Sequence, residues 1–141
     1  MNILFMCVAN SARSQMAEGL ARKQFGQRAR VESAGSKPSH VNPTAIAVMK
    51  EIGIDLSSHR SKSCDDLSAD FLDKLDYVIT LCAEEVCPIL SSPAKKLHWP
   101  FPDPAAEGLD ENTKRRRFQE TRDGLSQKIA EFAQALSPTT G

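Results

Sequence analysis

Between Cys7 and Arg13 lie five small or polar residues, Val8-Ala9-Asn10-Ser11-Ala12, and Ser14 follows directly. A thiol and a guanidinium at the two ends of so short a run suit one kind of ligand, a tetrahedral oxyanion. The loop's backbone N–H groups can turn inward, and the start of a helix adds positive partial charge. Arg13 can hold two oxygens with its planar fork. The same field would stabilise negative charge on the Cys7 sulfur, making a nucleophile of a weak thiol, and Ser14 can donate a hydrogen bond to it. A cysteine at a strand end can also be no more than a small buried hydrophobe. What favours chemistry is that the stretch from Cys7 to Ser14 falls where a strand hands over to a helix.

The remaining reactive residues give weaker signals. Cys64, Cys82 and Cys87 complete a set of four cysteines. The apolar opening Ile3-Leu4-Phe5-Met6-Cys7-Val8-Ala9 has no basic residue before it and meets Arg13 too soon for a signal peptide or a membrane span. The expected compartment is therefore a reducing cytoplasm, where cysteines are catalytic or metal-binding more often than structural disulfides. A zinc site drawn from Cys64, Cys82, Cys87 and His98 lacks paired Cys-x2-Cys spacing, so no metal is expected. His40, His59 and His98 read as surface or loop residues rather than bases. Basic and acidic residues number 18 each, which gives no general reason to expect nucleic acid or an acidic membrane as partner. The one basic block, Lys114-Arg115-Arg116-Arg117, reads as the solvated start of a helix.

The elements that must position these residues follow from periodicity. Asn2 to Cys7 is an unalternated apolar run, the pattern of a strand covered on both faces. Met16, Ala17, Leu20, Ala21 and Phe25 recur at helical spacing until Gly26. Arg30 to Ser33 predicts a second strand closed by Gly35. Asn42-Pro43 opens a helix with Ala45, Val48, Met49 and Ile52 on one face, ended by Gly53. Asp65 to Lys74 predicts a short helix, Asp76 to Cys82 a buried strand, and Lys96 to Trp99 a fourth strand. Prolines at 100, 102 and 104 then force an irregular loop. Phe118, Leu125, Ile129, Phe132 and Leu136 mark one face of a long last helix. Strands alternating with amphipathic helices give an α/β class with a parallel sheet, in one domain spanning residues 1–141.

Cys7 to Ser14 resembles the nucleophile loop of the low-molecular-weight protein tyrosine phosphatase superfamily. Further stretches resemble its arsenate reductase branch: Ser14 to Gly19, Glu32 to Gly35, Asn42 to Ile46, Ile52 to Ser57, Val78 to Cys82 and His98 to Ala105. The resemblance implies a four-stranded parallel sheet in the order 2-1-3-4 flanked by helices, and thiol-dependent reduction of arsenate to arsenite. It implies that Val8, Ala9, Asn10, Ser11, Ala12, Arg13 and Ser14 bind the oxyanion, and that Asp103 is the general acid, the lesser reading of Asp103-Pro104 being a plain turn. It also implies a relay. Cys7 attacks arsenic, Cys82 attacks the Cys7 sulfur, and Cys87 attacks Cys82, leaving a disulfide for an external reductant. That reductant is expected to be thioredoxin, with no tightly bound cofactor, and the enzyme is expected to be a monomer.

The rival within the superfamily is a phosphatase acting on small phosphate esters or phosphotyrosine. Phosphatases of this kind usually carry aromatic residues after Asp-Pro, whereas Ala105-Ala106-Glu107-Gly108 follows here. A phosphatase also has no use for Cys82 and Cys87. Two departures stand out. Only four residues, Ala83 to Val86, separate those cysteines, which on a regular helix would set the sulfurs roughly 140° apart. Members of the branch often hold potassium through residues matching Asn10, Glu18 and Ser33 plus an aspartate, and Lys62 stands where that aspartate is expected. The expectation is that Lys62 pairs with Glu18 and supports the loop in the cation's place, the alternative being an exposed Lys62 with Asp65 in the cation site. Cys64 matches nothing in the pattern and reads as incidental, the alternative being a competing resolving thiol.

Overall fold

The computed structural model describes residues 1–83, 90–105 and 108–136. Four strands, β1 (Asn2–Cys7), β2 (Arg30–Gly35), β3 (Tyr77–Cys82) and β4 (Lys95–Phe101), form one sheet. Its order is β2-β1-β3-β4 and every neighbouring pair is parallel. The helices are α1 (Arg13–Phe25), α2 (Pro43–Lys50), α3 (Ala69–Asp73) and α4 (Glu111–Leu136). From β1 the chain goes first to one side and later to the other, so the strand order reverses between β1 and β3. Ligands in open α/β sheets bind outside the carboxyl ends of the strands at such a reversal, and the last residues of those two strands are Cys7 and Cys82.

The unalternated run of β1 is buried along its whole length because both faces are covered. Ile3 and Phe5 join Val31, Ile79 and Leu81 against α1, α2 and α4. Leu4 and Met6 join Ala34 and Val78 against Phe71 and Leu75 on the other face. Each large side chain buried here, such as Phe5, Leu81 or Phe118, contributes about 1.5–3 kcal/mol. Helix α1 is more buried than its apolar spacing implies. Every residue from Arg13 to Ala21 is buried, including Ser14, Gln15 and Glu18, because its polar side turns inward to the loop before it.

Three boundaries depart from the expected ones, each for a local reason. The segment expected as one helix from Asp65 splits into a 3-10 turn at Cys64–Asp66 and α3. The Ser68 hydroxyl accepts from Phe71 N at 3.2 Å and starts a new helix there. Helix α2 starts as expected, with Asn42 Oδ1 accepting from Thr44 N at 2.8 Å, but ends at Lys50, which leaves Ile52 at 36% exposure rather than on the buried face. The fourth strand takes in Pro100 instead of stopping before it. Thr80 pairs with His98 and Cys82 with Phe101, so Trp99 and Pro100 together face one residue of β3. That is a bulge on an edge strand, the setting in which a sheet tolerates proline.

Candidate active site

The loop after β1 is shaped from below by Gly35 at the end of β2. A Cβ there would lie 2.3 Å from Val8 O, 2.8 Å from Asn10 N and 2.9 Å from Cys7 O. Only a bare backbone lets the loop settle so low. At its centre Asn10 takes φ 48°, where among non-glycine residues Asn is one of the few that rest comfortably. Helix α1 then starts after Ala12 with no side-chain cap. Its first N–H groups are therefore left for an anion rather than for a capping oxygen.

A chain of two hydrogen bonds leads to the Cys7 sulfur. Asn10 Nδ2 can only donate, and it reaches Ser14 Oγ at 2.8 Å. That bond leaves the Ser14 hydroxyl hydrogen free to point at Cys7 Sγ, also 2.8 Å away, and a thiolate there, having no hydrogen of its own, would have to accept it. Cys7 is free and 2% exposed. It lines a cavity of about 170 Å³ with Ala9, Ser11, Ala12, Arg13, Asp103 and Ala105. This is well below the few hundred Å³ typical of pockets for larger organic ligands. The side chains of Asn10 and Ser14, both expected among the anion-binding residues, are buried on the inner side of the loop, while Val8 O accepts from Lys37 N at 2.9 Å.

Behind the loop sits a polar network reached by several chain segments. Asn10 Oδ1 accepts from Gln15 Nε2 and from Lys62 N, both at 2.9 Å. Gln15 Nε2 also donates to Arg60 O at 2.9 Å, and Ser61 Oγ donates to Ala9 O at 2.7 Å. With both amide hydrogens of Gln15 engaged, its Oε1 faces His59 Nδ1 at 3.1 Å, and Glu18 Oε2 lies 2.9 Å from the same nitrogen. Two acceptors fix the hydrogen on Nδ1. Lys62 Nζ lies 3.2 Å from Glu18 Oε1 and 3.5 Å from Ser33 Oγ, and Ser33 Oγ donates to Glu18 Oε1 at 3.0 Å. Burial by itself would raise the Glu18 carboxyl, but the His59 hydrogen bond and the Lys62 and Arg22 charges together hold it below its ordinary value. Gln15, His59 and Ser61 were not among the expected site residues. Only the polar Gln15 inside an apolar helical pattern hinted at them.

Arg13 is buried, and its Nη1 donates to Phe101 O at 2.9 Å. Two residues on, the exposed Asp103 accepts from Ala105 N through Oδ1 at 2.9 Å. This is an Asx turn, so the turn reading and the acid reading of Asp103 coexist. Its Oδ2 has no hydrogen-bond partner among the described residues. Among the described residues no aromatic side chain lines the cavity.

The remaining thiols divide between the two faces of the sheet. Side chains alternate along a strand. Cys7 therefore follows Ile3 and Phe5 toward α1, whereas Cys82 follows Val78 to the opposite face. Both stand at the carboxyl edge, with Leu81 as the β3 residue on the Cys7 side. Cys82 is disulfide-bonded. Cys87 lies outside the described residues. Cys64 is a free thiol, held above its ordinary value by burial and by the charge of Asp65. Among the described residues no three His, Cys, Asp or Glu side chains converge as metal ligands.

The family model for the low molecular weight phosphotyrosine protein phosphatase matches residues 2–140. An arsenate reductase of Halalkalibacterium halodurans is 46% identical over 135 residues, covering 94% of each chain. A solved structure of an arsenate reductase in its oxidized state superposes with a TM-score of 0.76 at 30% identity, covering 96% of this chain and 98% of that one. A thioredoxin-dependent arsenate reductase of Corynebacterium glutamicum superposes with a TM-score of 0.70 at 30% identity, covering 95% of this chain and 60% of the other.

Proposed function

The chain belongs to the low molecular weight phosphotyrosine protein phosphatase family, and from that premise we propose that it reduces arsenate to arsenite by a thiol relay. The supporting observation is the state and place of the thiols. Cys7 is free and opens into a cavity of oxyanion size, while Cys82, at the same sheet edge, is already oxidised. A phosphatase would have no use for the second.

In the proposed sequence, the Cys7 thiolate attacks arsenic(V), and the displaced oxygen leaves as water with a proton from Asp103. Arg13 and the N–H groups at the start of α1 hold the remaining oxygens. Cys82 then attacks the Cys7 sulfur. The electron pair of the sulfur–arsenic bond stays with arsenic, which leaves as arsenite, and the two sulfurs are joined. Cys87 attacks Cys82, frees Cys7 and completes a Cys82–Cys87 disulfide. Two thiols thus supply the two electrons. An external thiol reductant returns them, and thioredoxin is the first choice, given the thioredoxin-dependent relative. The opposite facing of Cys7 and Cys82 means that the chain beyond Leu81 must turn for their sulfurs to meet.

Lys62 belongs to the same proposal as a support of the loop. Its ammonium already lies among Glu18, Ser33 and Glu32, the last at 3.9 Å. A pocket so filled does not suit a bound monovalent cation, so no step is assigned to one. Phosphate-ester cleavage is the secondary reading, because Cys7, Arg13 and Asp103 serve it equally well. The small cavity without an aromatic wall favours compact esters over phosphotyrosine.

Arsenate-dependent oxidation of NADPH, with thioredoxin, glutaredoxin or mycothiol systems supplied in turn, tests the reading against para-nitrophenyl phosphate hydrolysis. Cys7→Ser should abolish both activities. Cys82→Ser and Cys87→Ser should abolish multiple-turnover reduction yet retain ester hydrolysis. Catalytic reduction by Cys82→Ser would sink the relay.

A further inference from the structure

Gly124 stands inside the 26-residue helix α4. It lacks the positive φ that marks Gly26, Gly53 and Gly108, so the backbone there would accept alanine, which a helix prefers. The reason for glycine lies across from it. A Cβ at Gly124 would meet Phe101 Cε1 at 2.9 Å, with Cζ at 3.7 Å and Cδ1 at 3.9 Å. The Phe101 ring lies against bare helix backbone.

Phe101 joins three parts of the site. Its backbone closes β4 opposite Cys82, just after the bulge. Its carbonyl accepts from Arg13 Nη1 at 2.9 Å. Two residues further on, Asp103 lines the cavity that holds Cys7. A phenyl ring is stiff, so its place against α4 restricts the backbone that carries this carbonyl. We propose that Gly124 is a positioning residue for the oxyanion clamp: by leaving room for the Phe101 ring, it sets the carbonyl that orients the Arg13 guanidinium. A helical methyl some distance from the chemistry would then be felt as a misdirected arginine. This inference deepens the proposed function, since it rests on Arg13 holding the substrate anion.

The test is a double-mutant cycle on the reduced, full-length protein with two readouts, KM for arsenate and the dissociation constant of inorganic phosphate as a dead-end anion. Gly124→Ala should raise both about tenfold, within the range that small misplacements cost an active site. The thermal midpoint should not fall in step, since alanine favours the helix. Phe101→Leu should weaken phosphate binding by leaving the space half empty. The double variant, whose new methyl refills that space, should bind phosphate more tightly than either single one. Phosphate affinity within twofold of wild type in a folded Gly124→Ala would overturn the proposal, as would simple additivity in the cycle. Should Gly124→Ala fail to fold, Phe101→Leu alone decides, and unchanged phosphate affinity there would also overturn it. A wild type that binds phosphate but never reduces arsenate would instead defeat the reductase reading and leave this one standing.

Discussion

The loop from Cys7 to Arg13 and the segment that carries Asp103 face one another across one small cavity, and they are held in opposite ways. Asn10 and Ser14 have no exposed surface. The loop they belong to is fastened by Gln15, Ser61 and Lys62 and seated on Gly35. Asp103 is exposed, and the hydrogen bond recorded for its side chain is the one from Ala105 N. The difference suits the two tasks proposed for them. Stabilising an oxyanion needs donors already in place, because reorganising them during the reaction would cost what they contribute. Delivering a proton needs only approach and a suitable carboxyl.

The sharpest way to break this comparison is to disturb the seat of the loop. Gly35→Ala puts a methyl into backbone oxygen and nitrogen that cannot move aside independently. Phosphate binding and turnover should fall by more than about a hundredfold, with stability lowered by about 1–3 kcal/mol. Calorimetry and denaturant melts check both. A Gly35→Ala protein with normal anion affinity would mean the loop is less dependent on its seat than its contacts imply.

On the acid side the expected effect is confined to chemistry. Asp103→Asn should slow cleavage of esters with poor leaving groups by about 10²- to 10⁴-fold, with much less loss on good ones and stability within about 0.5 kcal/mol of wild type. Equal losses on both classes of ester would reduce Asp103 to its Asx turn.

The smallest effect should come from the network behind the loop. Because the folded Glu18 carboxyl lies below its ordinary value of 4.5, its contribution to stability is complete above that value. It is lost as pH falls through the lower folded one. Lys62→Met removes one of the charges that outweigh burial, so the acid limb of the melting-temperature profile should move to higher pH. Lys62→Asp should in turn make stability respond to potassium against sodium at fixed ionic strength, and the wild type should not. A potassium response in the wild type would show that the ammonium does not fill the cation's place.

The parts of this arrangement visible in the sequence are those that lie close together along the chain. Cys7, Arg13 and Ser14 span one strand-to-helix junction, and the apolar runs of β1 and β3 announce a covered parallel sheet. Lys62 is visible through resemblance rather than through any local pattern. What stayed hidden joins distant segments through groups without a signature. Gln15 meets the carbonyl of Arg60, 45 residues away, and Arg13 meets the carbonyl of Phe101, 88 residues away. A backbone acceptor looks the same at every position. His59 read as a loop residue because nothing nearby shows that Glu18 waits beneath it. Pro100 read as a strand terminator because a bulge is set by the partner strand, not by proline itself.

That bulge has an effect outside catalysis. β4 is an edge of the sheet, and an edge is a row of unpaired N–H and C=O groups on which a strand from another molecule can grow. Pro100 removes one donor from the strand, the extra residue breaks the even spacing of the others, and Lys95 and Lys96 place charge at its start. The insertion that carries Phe101 to Arg13 therefore also makes a poor template for intermolecular pairing. Straightening β4 by deleting Pro100 would restore an even edge for such pairing and shift the Phe101 carbonyl that Arg13 meets.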